Sequence, residues 1–114
     1  MIKKIDCIIR PSKIDEIKEK LAEMGVEGMT VSEVKGCGIQ MGHTGKSKSS
    51  KPRVNLLPKM RIEIVTEEEK VEKIINVVQN LAGTGKIGDG KIFVVPVEDV
   101  VRVRTKERGT LAIK

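Results

Sequence analysis

The sequence predicts an α+β fold in which two β-α-β halves share one four-stranded antiparallel sheet, with both helices on the same face. Three observations predict it. Stretches of period-two hydrophobicity alternate with stretches of helical period. They occur in the order strand, helix, strand, twice over. The two halves are separated by one long connection rich in Gly, Ser and Lys. With 114 residues, the chain is expected to form a single domain over 1–114. This order is that of the ferredoxin-like arrangement.

Each element has its own signal. Residues 2–9, IKKIDCII, alternate and then run apolar, which predicts a strand that Pro11 stops. Ser12 reads as a helix N-cap, with Asp15 and Glu16 in the first turn where the helix dipole favours acids. Ile14, Ile17, Leu21 and Met24 recur at helical spacing, and Gly25 ends that helix. Residues 29–35, MTVSEVK, predict a second strand, and 60–65, MRIEIV, a third. Thr66 and Glu69 have the spacing of a capping box. Val71, Ile74, Ile75, Val78 and Leu81 then form the apolar stripe of a second helix. Residues 91–97, KIFVVPV, predict a fourth strand, and VVRVR at 100–104 a short fifth. The first and fourth strands read as apolar on both faces, so the sheet face away from the helices is expected to seek a partner. The connection between strands two and three, with residues 37–57 as its mobile part, exceeds the roughly 15 residues beyond which structureless loops are usually functional or disordered.

Charge and composition narrow the function. The formal net charge is +6, yet its distribution matters more. No acid lies between Glu33 and Glu63, an interval that holds seven of the 22 basic residues and leaves 15 against 16 acidic ones elsewhere. The chain is a balanced domain with one basic segment. Phe93 is its only aromatic residue, which disfavours nucleic-acid recognition by base stacking. Cys7 and Cys37 lack metal or redox spacing and read as reduced thiols. No apolar run approaches membrane-spanning length, and the expectation is a cytoplasmic protein without stable membrane insertion. His43 is the only histidine, with no acid or cysteine near it, and no nucleophile–base pair is visible.

The stretch GTGKIGDGK at 83–91 contains the text of two phosphate motifs. Both need a strand before and a helix after, whereas here a helix precedes and a strand follows. Ile92 also stands where a P-loop carries its Ser or Thr. Two readings stay open: a glycine-rich helix-to-strand connection, or an anion nest of backbone N–H groups with Lys86 or Lys91 supplying charge. Arg102 and Arg104 are expected on one face of an extended segment, suited to forked phosphate contacts. GCGIQMGHTG at 36–45 is a second glycine-rich segment, with Gln40 its only amide.

These segments together resemble the PII nitrogen-regulatory signal-transduction family over nearly the whole chain. The stretches that carry the likeness are MIKKIDCIIRPSKIDEIK, GMTVSEVKG, LPKMRIEIV, TGKIGDGKIFVVPVE and VRVRT. The resemblance implies a homotrimer with ATP or ADP bound between subunits. By the same resemblance, Thr30, Gly36, Gly38 and Val65 line the nucleotide site, and Gly88, Asp89, Gly90 and Lys91 form the phosphate cradle. Arg102 and Arg104 would be its basic clamp, partly from the neighbouring subunit. It further implies that 2-oxoglutarate is sensed, with Mg²⁺ bridging it to the ATP phosphates, Gln40 as a metal ligand and Lys59 paired with a carboxylate. A hard cation held by phosphate, keto acid and one amide oxygen would couple the two metabolites. The implied function is non-enzymatic. The long loop reports the metabolite state to a target enzyme, transporter or regulator in nitrogen or carbon metabolism.

The chain also departs from the family pattern. Ile39 stands where many members have an arginine that touches phosphate, which bears on ATP versus ADP preference and on 2-oxoglutarate binding. The position of the modified loop tyrosine is Pro52, and the chain has no tyrosine at all. Ser50 falls at a loop serine that some members phosphorylate. The basic tip carries Lys46, Lys48, Lys51 and Arg53 and predicts an acidic or carbonyl-rich target. The alternative function is a nucleic-acid or anionic-surface binder acting through 46–53, with affinity that falls steeply with salt.

Overall fold

The computed structural model describes residues 1–26, 28–39 and 54–114. Strand β1 (Ile2–Ile9) leads through a 3-10 turn (Pro11–Lys13) into helix α1 (Ile14–Glu23). Strands β2 (Met29–Ile39) and β3 (Val54–Glu67) follow. A second 3-10 turn (Glu68–Lys70) opens helix α2 (Val71–Ala82), and then come strand β4 (Gly90–Val97) and a short helix α3 (Thr110–Ile113). The sheet order is β2-β3-β1-β4, with every neighbour antiparallel. This is the expected ferredoxin-like arrangement. Among the described residues no helix is long and apolar enough to cross a membrane.

Both helices lie on one sheet face. Ile17 and Leu21 of α1, with Val71, Ile74, Val78 and Ala82 of α2, form one core with Ile5, Cys7 and Ile9 of β1 and Ile62 and Ile64 of β3. Burial pushes the Cys7 thiol up to about 12, so it is a neutral packing group at neutral pH. Gly25 ends α1 with φ +84°. The amides of Gly25 and Val26 donate to the carbonyls of Ala22 and Leu21, the paired bonds of a Schellman motif.

The opposite face is mixed. On β1 it presents Ile2, Lys4, Asp6 and Ile8, so that strand is not apolar on both sides as expected. Arg61 forks onto Asp6 at 2.9 and 2.6 Å and also reaches Glu63 at 3.0 Å, while Lys4 meets Glu63 at 3.4 Å. The Arg61 hydrogen bonds hold the Asp6 carboxyl below its ordinary value. Beside this network Phe93 and Val95 of β4 remain 50% and 40% exposed.

Four local expectations change. The strands are longer than periodicity indicated: β2 continues to Ile39 and β3 begins at Val54, so 37–39 and 54–57 pair as strand, where they were expected in the mobile part, and the rest of 37–57 lies outside the described residues. Ladder hydrogen bonds satisfy the backbone there without a period-two pattern. Pro58 is tolerated because β1 ends opposite Met60, leaving β3 a neighbour on one side only. Ser12 does not cap, because Pro11 already opens the turn, with Arg10 as its N-cap. Thr66 and Glu69 form no capping box, because β3 runs on to Glu67 and Thr66 points into the core at 6% exposure. The expected fifth strand is a single bridge between Val101 and Arg108, closed as a turn by bonds from Arg102 N to Glu107 O and Lys106 N to Arg102 O.

Candidate functional site

The connection from α2 to β4 is a built loop. Gly85, Gly88 and Gly90 all have positive φ, at 80°, 100° and 109°. Gly90 is required sterically as well, since a Cβ there would lie 1.9 Å from the Ile8 carbonyl oxygen of the paired strand. The Asp89 carboxylate folds back to accept from the amides of Thr84 (2.7 Å) and Gly85 (2.9 Å) and from the Thr84 hydroxyl. Arg10, at the end of β1, donates to Asp89, to the Thr84 hydroxyl at 3.2 Å and to the Ile87 carbonyl at 2.8 Å. The Thr84 hydroxyl first, then the Thr84 amide and Arg10, hold the Asp89 carboxyl well below the usual carboxylate range. Lys59, on β3, donates from Nζ to the Gly88 carbonyl at 2.9 Å.

Gly36 lies against the stem of Lys59, where a Cβ would come within 3.2 Å of Cγ, and Gly38 pairs with Asn55 in the hairpin. Lys91 is exposed and borders a cleft of about 390 Å³ between α2 and β4, with Gln79, Asp89 and Gly90. The loop, Lys59, Gly36 and Lys91 therefore share one end of the sheet.

Thr30 and Val65 sit elsewhere. They line a second open cleft of about 380 Å³ with Lys4, Glu63, Val100, Ala112 and Ile113. Val65 pairs with Lys4, whereas Gly90 pairs with Ile9, five residues along β1, which is roughly 17 Å of strand. Arg102 is occupied within the C-terminal turn, donating to Glu107 at 3.1 Å and to the Leu111 carbonyl at 3.3 Å. The turn separates it from Arg104, so the two do not share one face of a strand as expected. Arg104 is exposed and has no ion-pair partner among the described residues. Gln40, Lys46, Lys48, Ser50, Lys51 and Arg53 lie outside the described residues.

Sequence reasoning missed Arg10, Thr84, Glu63 and Lys4. Arg10 alone had a local signal, a single arginine closing an apolar strand before proline.

A family model described as nitrogen regulatory protein P-II matches residues 2–107. The chain belongs to the P-II family. It is thus a nitrogen regulatory signal-transduction protein. It is 54% identical over 112 residues to the nitrogen regulatory protein P-II of Azospirillum brasilense, covering 98% of this chain and all of the relative. It is 50% identical, with the same coverage, to nitrogen regulatory protein P-II 1 of Escherichia coli K12. Among solved structures it is similar to the B. subtilis GlnK–ATP complex, with a TM-score of 0.81, 32% identity and coverage of 97% of this chain and 96% of that one. It is also similar to Arabidopsis thaliana PII bound to citrate, with a TM-score of 0.76, 40% identity and coverage of 97% and 91%.

Proposed function

We propose that this P-II protein is a non-enzymatic cytoplasmic sensor of ATP and ADP that also reads 2-oxoglutarate. It would work as a homotrimer and act on a target enzyme, transporter or regulator through the connection between β2 and β3. The observation that carries this reading is the pre-formed loop 83–90. Its Ile87 and Gly88 carbonyls are both captured by basic side chains on the protein side. Among the described residues the Ile87 and Gly88 amides meet no acceptor, which suits an anion nest. The ATP complex of B. subtilis GlnK and the citrate complex of A. thaliana PII support a nucleotide and an organic-acid ligand respectively.

The trimer reading is supported by the division of the site. Thr30 and Val65 stand at one end of the sheet and Gly88 to Lys91 at the other, so the two groups would meet only where one copy adjoins another. Arg102 and Arg104 would come from the neighbouring copy. The mixed sheet face with exposed Phe93 and Val95 offers a surface for that contact.

Mg²⁺ enters as the companion of the phosphates. Among the described residues no group of three His, Cys, Asp or Glu side chains could hold a metal, so the ion would draw its oxygens from nucleotide and keto acid, with Gln40 as the protein ligand. Lys59 would share its ammonium between the Gly88 carbonyl and a ligand carboxylate. Ile39, where many relatives carry arginine, narrows the charge available to a third phosphate, so ADP and ATP are expected to bind with similar affinity. The basic residues Lys46, Lys48, Lys51 and Arg53 would meet the target, and Ser50 is the candidate modification site.

The test is calorimetric titration with ATP and Mg²⁺, with and without 2-oxoglutarate, on wild type and Gln40→Ala. The expected result is 2-oxoglutarate uptake only with Mg-ATP, abolished in the variant. Uptake of ATP alone would reduce the reading to an adenylate sensor, and no uptake of either ligand would overturn it.

A further inference from the structure

We propose that Arg10 is a positioning residue for the phosphate cradle: it holds loop 83–90 in its anion-binding shape through Asp89 and the Ile87 carbonyl, without touching the nucleotide itself. The inference rests on the proposed nucleotide site and assigns the device that forms it.

The Arg10 backbone is anchored on both sides. Ile9 before it pairs with Gly90 in the sheet, and its own carbonyl accepts from Lys13 at 3.1 Å in the 3-10 turn that Pro11 opens. From that fixed base the guanidinium reaches the start, middle and end of the loop, at Thr84, Ile87 and Asp89. Asp89 completes the circuit by accepting from the Thr84 and Gly85 amides. The circuit is charge-assisted and only about a quarter exposed, with side-chain exposures of 28% for Arg10 and 25% for Asp89.

The consequence for an anion follows from peptide geometry. Among the described residues there is no cis peptide bond. In a trans peptide the N–H points opposite to the C=O. Arg10 draws the Ile87 carbonyl toward β1, which turns the Gly88 N–H to the outer side. Lys59 draws the Gly88 carbonyl toward β3 and turns the following N–H in its own plane the other way from itself. Carbonyl oxygens, which would repel phosphate, are held away from the outer side of the loop. Gly88 makes this possible twice over: its φ is +100°, and a Cβ there would lie 3.1 Å from the Arg10 guanidinium nitrogen. Arg10 spends Nη1 on Thr84 and Asp89 and Nη2 on the Ile87 carbonyl, all within the protein, so its effect on a phosphate is transmitted through loop shape.

The experiment is ATP titration of the full-length wild type, Arg10→Met, Arg10→Lys, Asp89→Asn and the Arg10→Met/Asp89→Asn double variant, with amide hydrogen exchange of each protein before nucleotide is added. Arg10→Met is expected to weaken ATP binding about tenfold, because the loop loses its ties at Thr84, Ile87 and Asp89 and must be ordered by the nucleotide. Arg10→Lys keeps the charge but cannot span three acceptors, and should recover little of the loss. The double variant should bind within about threefold of the weaker single variant, because both changes break one circuit. Exchange should quicken at 84–90 while the sheet keeps its protection. Full recovery in Arg10→Lys, or losses that multiply in the double variant, would mean that Arg10 acts on the phosphate directly and would overturn the inference. So would unchanged ATP affinity in Arg10→Met, or protection lost across the whole sheet in both Arg10 variants. Failure of the wild type to bind ATP is a separate outcome: it overturns the sensor reading and this inference with it.

Discussion

Lys59 Nζ lies 2.9 Å from the carbonyl oxygen of Gly88, and this bond joins the base of the β2–β3 hairpin to the loop before β4. The two residues are 29 apart in sequence. The bond makes the hairpin base and the cradle one unit. Lys59 Nζ has two further N–H donors, so a carboxylate bound to it would share the ammonium with the Gly88 carbonyl, and the two contacts are linked through one group.

Lys59→Met is therefore expected to weaken ATP binding about three- to tenfold even without a keto acid, since the Gly88 carbonyl loses its donor. The proposed binding of 2-oxoglutarate should weaken further, because the same substitution removes the cation proposed to pair with its carboxylate. Isothermal calorimetry of each ligand separates the two effects. An unchanged ATP affinity would show that the bond is incidental to the cradle.

Glycines in the loop should differ in their tolerance. Gly90→Ala places a methyl 1.9 Å from the Ile8 carbonyl oxygen at φ +109°, so β1 and β4 must part to admit it. It should cost about 2 kcal/mol or more. Gly85→Ala meets no atom within 4 Å and carries only the penalty of its left-handed φ of 80°, about 1 kcal/mol. Urea unfolding of both variants checks the order, and equal losses would contradict it.

Acid stability follows from two depressed carboxyls. The ordinary value for both Asp6 and Asp89 is 3.8, and each is lowered in the fold, Asp6 by Arg61 and Asp89 first by Thr84. A group lowered on folding adds stability above its unfolded value and loses it as pH falls through the folded value. These two residues should therefore contribute fully at pH 5 to 7, and their contribution should decline from about pH 4 downward. Melting curves against pH for wild type, Asp6→Asn and Asp89→Asn test this. The variants should be less stable near neutrality and show a flatter acid limb.

Cys7 should be chemically silent in the native protein. It is fully buried and its thiol is pushed up to about 12. Peptide mapping after iodoacetamide treatment at pH 8 should find Cys7 unmodified in the folded state and alkylated in denaturant. Native modification would reveal an opening of the sheet–helix core.

The sequence by itself determined the strand and helix order, the apolar stripes of α1 and α2 and the glycine-rich loop, because each rests on periodicity or on residues within a few positions of one another. It also carried the family likeness. Strand ends were less legible: residues 36–39 and 54–58 lack an alternating pattern, yet pair because ladder hydrogen bonds need no side-chain pattern. Ser12 and Thr66 had capping chemistry, but Pro11 and the extension of β3 shifted both helix starts. Tertiary structure alone decided which side chains meet. Arg10 and Asp89 are 79 residues apart, and Arg61 and Asp6 are 55 apart. No local propensity encodes such pairs; they arise because antiparallel register brings distant strand ends together. The same register sets Thr30 and Val65 at one end of the sheet and Gly88 at the other. One chain therefore carries both parts of the proposed site without joining them.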